Sequence, residues 1–267
     1  MKKSLREMKI AAKEMMSADI CRMVLAPLQQ ETAEQVIPGQ FVGIYPPQND
    51  KMLPRPISIC DYDAETGRIT LVFRTAGEGT SEIAACSVCD RIKVLGILGN
   101  GYDLRMLYGK RVALMGGGIG IPPMLYLAKA LQETAETTCF LGYRDSSTFL
   151  EEAFREQVRT VTASEDGSKG IKGNVLDALH ADIASGTGVL PEVICACGPK
   201  PMLKAIQQFA ADNGIQCFLS LEERMACGVG ACLGCVAKTV DRDPHFGANY
   251  ARVCTDGPVF EGSRVVL

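Results

Sequence analysis

A glycine-rich stretch in the middle of the chain, "GKRVALMGGGIGIPPMLYLAKAL" at residues 109–131, decides the fold prediction. The apolar run 112–115 predicts a strand, and the residues led by Pro122 and Pro123 predict a helix. Four glycines between them permit a tight bend and close approach of a ligand to the backbone. The helix N-terminus would then bind a pyrophosphate through free N–H groups and the helix dipole. These glycines are Gly116, Gly117, Gly118 and Gly120.

Two later segments repeat this rhythm of strand, turn and helix: "CFLGYRD" at 139–145 and "VICACGPKPMLKAI" at 193–206. The repeat is typical of a parallel sheet, in which ligands bind at the carboxyl ends of the strands. We therefore add Cys197, Gly198 and Pro199 to the predicted dinucleotide site. The alternative, tight turns without a ligand, stays open because glycine turns are common in such sheets.

The first hundred residues show short alternating strands separated by Pro and Gly, which predict a small antiparallel barrel. The predicted strands include 9–12, 20–25, 41–45 and 69–73.

Two segments of this region carry candidate phosphate-binding residues: "PRPISIC" at 54–60 and "FRTAGEGTSEIAA" at 73–85. Gly79, Thr80 and Ser81 open a predicted helix that can hold a phosphate. Arg55 supplies a charged fork for that phosphate, and Ser58 a hydroxyl within reach of a flavin ring. Taken separately, these are an exposed arginine and a helix cap.

The segment "RMACGVGACLGCVAKT" at 224–239 has the spacing C-x4-C-x2-C, and a fourth cysteine follows later. This is the plant-type ferredoxin pattern for a 2Fe-2S cluster. Gly228, Gly230 and Gly234 would let the backbone wrap around the cluster. The alternative is a four-cysteine zinc site, which usually repeats C-x2-C pairs. The predicted ligands are Cys227, Cys232, Cys235 and Cys254.

The remaining composition indicates a folded, cytoplasmic protein. The net charge of -3 and the absence of a local Lys/Arg cluster argue against nucleic acid, and no apolar stretch approaches the length of a membrane helix. Seven further cysteines are predicted to be small core side chains, although Cys86 and Cys89 form a C-x2-C pair. They are Cys21, Cys60, Cys86, Cys89, Cys139, Cys195 and Cys217.

The order RPIS, FRTAGEGT, GGGIGIPP and CGPKPM resembles the ferredoxin-NADP reductase superfamily, in which a flavin-binding barrel precedes a nicotinamide-binding α/β domain. The cysteine segment with the trailing "RVCTDGPVF" is similar to electron-transfer subunits of NAD-dependent (class B) dihydroorotate dehydrogenases. The resemblance implies a fold of mixed class: an antiparallel FAD-binding barrel at 1–106, a parallel-sheet NAD-binding α/β domain at 107–216 and a small 2Fe-2S domain at 217–267. It also implies that FAD is held by Arg55, Pro56, Ile57, Ser58, Val72, Phe73, Arg74, Gly79 and Thr80.

The resemblance further implies an electron conduit in pyrimidine synthesis. Electrons from dihydroorotate, oxidised on a separate FMN-bearing catalytic subunit in a hetero-oligomer, would pass through the 2Fe-2S cluster and FAD to NAD. No residue of this chain is predicted to be catalytic toward dihydroorotate. Relatives built on the same plan serve hydrogenases and ferredoxin-linked NAD(P) oxidoreductases. A non-catalytic assembly subunit with a structural metal is a third hypothesis, but it leaves the FAD and NAD segments unexplained.

The chain departs from the family pattern at Ile97, where relatives often have proline, and in the long gap between Cys235 and Cys254. We predict that the polar segment "DRDPHFG" at 241–247, within the loop 240–249, forms a solvated hairpin or an insertion facing a partner.

Acidic residues favour NAD over NADP. Arg144 follows a predicted strand, in a position to meet a 2′-phosphate. Asp145 adjoins it, however, and Glu165 and Asp166 lie in a later loop, so we expect NAD to be preferred.

Overall fold

The computed structural model describes residues 4–29, 35–48, 51–242 and 247–267, which form two compact units. The first unit contains the described residues up to Gly101, together with Glu222–Ala237 and Ala251–Pro258. The second contains Tyr102–Leu221, the described part of Lys238–Tyr250, and Val259–Leu267. No helix among the described residues is long and apolar enough to cross a bilayer.

The strands are β1 (Leu5–Met15), β2 (Ile20–Pro27), β3 (Phe41–Ile44), β4 (Arg55–Asp63), β5 (Arg68–Arg74), β6 (Arg91–Leu98), β7 (Arg111–Gly117), β8 (Glu136–Tyr143), β9 (Arg159–Ser164), β10 (Ile171–Lys172), β11 (Val193–Cys197), β12 (Gln216–Ser220), β13 (Val236–Lys238), β14 (Tyr250–Arg252) and β15 (Val259–Glu261). The helices are α1 (Glu78–Ala85), α2 (Ile121–Leu131), α3 (Glu151–Arg155), α4 (Val175–Ala184) and α5 (Lys200–Asp212).

The first unit is a closed antiparallel barrel with the strand order β1, β2, β5, β4, β3, β6. Its strands alternate as a sheet with one buried face requires: in β1 the side chains of Met8 and Ile10 are buried, whereas Lys9 is exposed. The predicted barrel is confirmed. The strand predicted over 41–45 ends one residue earlier, at Ile44.

The second unit is a seven-stranded sheet in the order β10, β9, β8, β7, β11, β12, β15. The first six strands are parallel, which confirms the predicted α/β sheet, and β15 joins β12 in the antiparallel sense. All five residues of β11 are buried, as expected of a central strand covered by helices on both faces. The helix α5 is amphipathic and turns Leu203, Ile206 and Ala210 inward.

The C-terminal segment adds a two-stranded sheet of β13 and β14. The domain boundary predicted after residue 216 falls just inside β12, whose residues pair with β11. Of the loop predicted as a solvated hairpin, residues 243–246 lie outside the described residues. Its described ends are held by backbone hydrogen bonds, from Thr239 N to Asn249 O at 3.0 Å and from Val240 N to Arg264 O at 2.9 Å.

Candidate cofactor sites

The four predicted cluster cysteines lie together in the first unit, in the loop before β13 and in the turn after β14. Their thiols lie in two pairs of neighbours, Cys227 with Cys232 and Cys235 with Cys254. The pairs are neighbours, because Cys227 also interacts electrostatically with Cys254. Two pairs of thiol donors fit a binuclear cluster in which each iron takes two cysteines. Among the described residues, no three His, Cys, Asp or Glu side chains converge as a single bound ion would require.

Backbone N–H groups point at the sulfurs of this loop. The Cys227 Sγ accepts hydrogen bonds from Val229 N at 3.5 Å and Cys232 N at 3.4 Å, and the Cys232 Sγ accepts one from Gly234 N at 3.4 Å. Burial alone would raise the pKa of Cys227, but the N–H groups of Val229 and Cys232, together with the Cys232 thiol, outweigh it and lower the pKa to about 6. The loop is therefore built to stabilise negatively charged sulfur, as an iron ligand requires.

The backbone angles of the loop require glycine at two of its three glycine positions. Gly228 and Gly230 adopt positive φ angles of 68° and 89°, which side chains disfavour. Gly234 has no such angle, and a Cβ there would meet only the Cys232 Sγ at an ordinary 3.5 Å. Leu233 takes a positive φ of 55° without being glycine, so this turn of the loop stores backbone strain.

The cluster loop packs on the end of barrel strand β6. A Cβ at Gly228 would lie 3.2 Å from Leu98. The turn that carries Cys254 is held by Asn100, which donates from Nδ2 to Thr255 O at 3.0 Å and from its backbone N to Gly257 O at 2.6 Å. The barrel thus fixes both parts of the cysteine site.

A second site in the same unit is formed by Arg55 and the start of α1. The Arg55 guanidinium lies against the first turn of this helix, so that a Cβ built on Gly79 would be 2.6 Å from Arg55 Cζ. Arg55 Nη1 also donates to Leu53 O at 2.8 Å, which orients the guanidinium. A guanidinium beside a helix N-terminus is an anion cradle, and it fits the pyrophosphate of FAD.

The other predicted FAD residues differ in whether their side chains are exposed. Pro56 is exposed and Ser58 partly exposed, so both present side chains on the outer face of β4. The side chains of Ile57, Val72 and Phe73 are buried, which leaves mainly their backbone for a ligand.

The last two predicted FAD residues are engaged within the protein. Arg74 Nε lies 2.9 Å from Asp19 Oδ2. The Thr80 hydroxyl accepts from Gly77 N at 3.2 Å and donates to Gly77 O at 2.9 Å, and this fixes the start of α1.

The predicted dinucleotide residues come together in the second unit, where β7 and β11 are paired and Gly116 stands opposite Cys197. A Cβ on Gly120 would collide with the Cys197 carbonyl and lie 2.5 Å from Gly198 N. A Cβ on Gly117 would collide with Met202 and lie 3.4 Å from Pro199 Cδ. These glycines are therefore required by the packing of the two turns. Gly118 has open space around its Cβ position and a φ of 54°.

The N-terminus of α2 offers fewer donors than the sequence argument assumed. Pro122 and Pro123 have no N–H, and the N–H of Ile121 is already bonded to Gly118 O. A pyrophosphate there would depend on the helix dipole and the glycine backbone. The expectation of free N–H groups in the first turn of α2 is wrong, because the prolines that start the helix remove them.

The predicted NAD-selecting residues are also adjacent. Glu165 N donates to Tyr143 O at 3.1 Å and Asp166 N to Arg144 O at 3.3 Å, so the carboxyl ends of β8 and β9 meet. The carboxylate of Asp145 accepts from Ser147 N, and that of Asp166 accepts from both polar groups of Ser168.

The scattered cysteines are mostly core side chains: all but Cys89 are buried. Burial raises the pKa of Cys217 to about 12, which keeps that thiol protonated. Cys89 is exposed in a turn with a φ of 78°.

The residues that support the cysteines were not predicted from the sequence. Arg252 and Asp256 form a two-bond ion pair around Cys254, and their four-residue spacing in "RVCTDGPVF" was a usable signal. Asn100 gave no signal, because its role depends on where the barrel ends.

Two family models match the chain. The iron-sulfur cluster binding domain of dihydroorotate dehydrogenase B matches residues 222–266, and the oxidoreductase NAD-binding domain matches residues 114–208. The chain is 42% identical over 238 residues to the electron transfer subunit of dihydroorotate dehydrogenase B (NAD(+)) of Geobacillus sp. (strain WCH70), with 88% of each chain covered.

Solved structures share the fold. A structure of an NADH-dependent reduced ferredoxin-NADP oxidoreductase matches with a TM-score of 0.83 and 26% identity, over 97% of this chain and 89% of that chain. A ferredoxin NADP+ reductase from Neisseria gonorrhoeae with bound FAD and NADP matches with a TM-score of 0.66 over 79% and 92% of the two chains. At 16% identity the latter shows the fold alone. From its sequence identity and its cluster-domain match, the chain belongs to the family of electron transfer subunits of NAD-dependent dihydroorotate dehydrogenase B.

Proposed function

We propose that this chain carries electrons from an FMN-bearing, dihydroorotate-oxidising subunit through a 2Fe-2S cluster and FAD to NAD, in pyrimidine (UMP) biosynthesis. The observation that carries the proposal is that two thiol pairs and the Arg55 cradle occupy one structural unit, in a chain of this family. When bound, FAD exchanges a hydride for single electrons, the cluster carries single electrons, and NAD carries the hydride.

The barrel residues hold and orient FAD in this proposal. Arg55 and the first turn of α1, with Gly79, bind the pyrophosphate, because both present positive charge to one point. Ser58 and Pro56 face the flavin from the outer side of β4. Ile57, Val72, Phe73, Arg74 and Thr80 contribute backbone atoms or keep the cradle in shape.

The cysteine loop binds the cluster and stabilises the negative charge of its ligand sulfurs. Cys227, Cys232, Cys235 and Cys254 supply the ligands, and the N–H groups directed at the sulfurs favour the thiolate form.

The paired turns after β7 and β11 bind NAD. They contribute Gly116, Gly117, Gly118, Gly120, Cys197, Gly198 and Pro199. The carboxylates near the ends of β8 and β9 select NAD over NADP, because a 2′-phosphate would be repelled there.

The proposal divides the chain by cofactor into 1–106 for FAD, 107–216 for NAD and 217–267 for the cluster. It places the protein in the cytoplasm, where its substrates occur. Its partner is the catalytic subunit in a hetero-oligomer, without nucleic acid or membrane.

A second candidate is a reductase subunit that exchanges electrons with ferredoxin or a hydrogenase. The 0.83 TM-score with an NADH-dependent reduced ferredoxin-NADP oxidoreductase favours it. The family model over residues 222–266 favours the first candidate.

One experiment separates them. The purified chain is given NAD and either a dihydroorotate-oxidising subunit with dihydroorotate, or chemically reduced ferredoxin, and NADH formation is followed at matched protein concentration. The proposal predicts much faster NADH formation with the first partner. Preference for ferredoxin would reverse the assignment. A visible spectrum without flavin and iron-sulfur bands would reject both candidates and favour a structural metal subunit.

A further inference from the structure

The turn that carries Cys254 is closed by one residue. Three backbone N–H groups, those of Thr255, Asp256 and Gly257, converge on Arg252 O at 3.1, 2.8 and 3.3 Å. This wraps the chain tightly around the fourth cysteine.

A side-chain ion pair closes the same turn a second time. Arg252 donates from Nε to Asp256 Oδ2 at 3.0 Å and from Nη2 to Asp256 Oδ1 at 2.9 Å. The Arg252 backbone N also donates to Asp256 Oδ2 at 2.8 Å, and the Thr255 hydroxyl lies 3.3 Å from Asp256 Oδ1. Only 24% and 30% of the two side chains are exposed, so water competes weakly for the pair.

The closed turn packs against the cysteine loop at Gly230. A Cβ on Gly230 would lie 2.9 Å from Thr255 Cγ2 and 3.4 Å from Arg252 Nη1. Gly230 lies between Val229 and Cys232, whose N–H groups both donate to the Cys227 sulfur. The closed turn therefore contacts the cysteine loop between the two residues that donate to the first predicted ligand.

We propose that the Arg252–Asp256 pair is a positioning element that holds the cysteine loop at Gly230. It thereby keeps the Val229 and Cys232 N–H groups directed at the Cys227 sulfur and so sets the reduction potential and the retention of the cluster. The inference rests on the proposed function only in that Cys227 and Cys254 are cluster ligands. It concerns residues to which the family resemblance gave no role.

The direction of the effect follows from charge. A reduced cluster carries one more negative charge than the oxidised form, and an N–H donor to a ligand sulfur stabilises that charge. Loosening the loop at Gly230 weakens the Val229 and Cys232 donors and therefore lowers the reduction potential. Since either partner of the pair is needed to hold the turn, removing either partner should lower it.

A purely electrostatic role makes a different prediction. Loss of the Arg252 cation would lower the potential, whereas loss of the Asp256 anion would raise it. The sign of the shift in Asp256→Asn therefore separates positioning from simple charge.

The test compares Arg252→Gln, Asp256→Asn and the double variant by redox titration of the reduced-state EPR signal, and by the rate of iron loss to a chelator. All three should show a lower potential and several-fold faster iron loss, with FAD content unchanged. The double variant should match the single variants, because the pair acts as one unit. Arg105→Gln is the matched control: Arg105 makes the same two-bond contact with Asp103 in the second unit, and this variant should behave as wild type.

A raised potential in Asp256→Asn, additive shifts in the double variant, or unchanged values in all three would overturn the proposal. If either single variant retains no cluster on purification, Thr255→Val replaces it, since this change removes the hydroxyl but keeps a methyl group at Gly230. It should shift the potential in the same direction by less, and an unchanged or raised potential would also refute the positioning role.

Discussion

At the residue scale, a substitution at Gly79 should change the affinity for FAD without changing stability. A Cβ at this position would meet the end of the flexible Arg55 side chain, which can swing away without disturbing the helix. Gly79→Ala should therefore weaken FAD binding by roughly ten- to hundredfold, the cost of a lost charge-assisted hydrogen bond of about 1.5–3 kcal/mol, at nearly unchanged stability. Flavin titration of apoprotein measures the effect. Gly77→Ala is the control, since its Cβ position is open and its φ of -177° suits any residue. Equal FAD affinities for the two variants would show that Arg55 does not hold FAD.

Cys232 is the exposed member of its thiol pair, so its replacement should disturb the fold little. Cys232→Ser should lose or strongly weaken the cluster, because a harder oxygen ligand holds iron less well than thiolate. FAD should stay bound. Iron content and the EPR signal measure this, with Cys89→Ser, an exposed thiol outside the site, as control. An unchanged signal in serine variants of all four ligands would reject the assignment.

Sequence spacing alone predicted the four ligands, because three of them lie within one short loop. It did not predict Asn100, which reaches Thr255 only because the barrel ends beside that turn. The sequence also predicted too many free N–H groups at the start of α2. Pro122 and Pro123 mark a helix start, but as prolines they have no N–H to donate.

At the element scale, the parallel sheet was predictable because the central strands β7 and β11 are apolar runs followed by glycine turns. Strand β15 was not predictable, because a segment of three residues is too short to show a hydrophobic period. Its pairing with β12 depends on tertiary packing. Four of the six barrel strands were named from the sequence, with inexact ends: β1 extends beyond the predicted 9–12, and β3 ends at Ile44.

Helix α3 is tied to β9 by Glu151, whose side chain is only 2% exposed. Its Oε1 accepts from Arg155 Nη2 at 2.7 Å and Thr162 Oγ1 at 2.9 Å, and Lys169 Nζ lies 3.6 Å from Oε2. Burial alone would raise the pKa of Glu151, but its hydrogen bonds, led by that from Arg155, outweigh burial and lower the pKa to about 2.

Glu151→Gln should lower the free energy of unfolding by about 2 kcal/mol at neutral pH, after allowance for half-exposed partners. Because the folded-state pKa is below the unfolded value of about 4.3, this contribution is complete above that pH and is lost as pH falls toward 2. Denaturant unfolding between pH 7 and 3 should show the two proteins converging. Glu152→Gln, on the exposed side of the same helix, is the control. A difference that is independent of pH would contradict the ionic account.

In the proposed function, the ends of β8 and β9 set the nucleotide preference. Carboxylates gathered there should repel a 2′-phosphate, so NADH should reduce the bound flavin faster than NADPH. Stopped-flow flavin reduction with each nucleotide measures the ratio. A clear preference for NADPH would show that Arg144 dominates the site instead.

At the scale of the whole molecule, the described elements form a six-stranded antiparallel barrel, a seven-stranded sheet and a cysteine segment. An FMN-bearing (β/α)₈ barrel would need eight parallel strands closed on themselves. The chain alone should therefore oxidise NADH with an artificial acceptor but should not oxidise dihydroorotate. Isolated protein, assayed with each donor and one dye, tests this. Robust dihydroorotate oxidation by the isolated chain would contradict it.

The central claim is that electrons reach NAD only by way of the cluster, and one coupled assay tests it directly. Dihydroorotate-dependent NADH formation is measured with the catalytic subunit mixed with wild-type chain or with the Cys232→Ser variant, after FAD content is shown to be equal. The account predicts full coupling with wild type and loss of coupling with the variant, while its NADH oxidation with an artificial acceptor persists. Full coupling by a variant shown to lack iron would contradict the account.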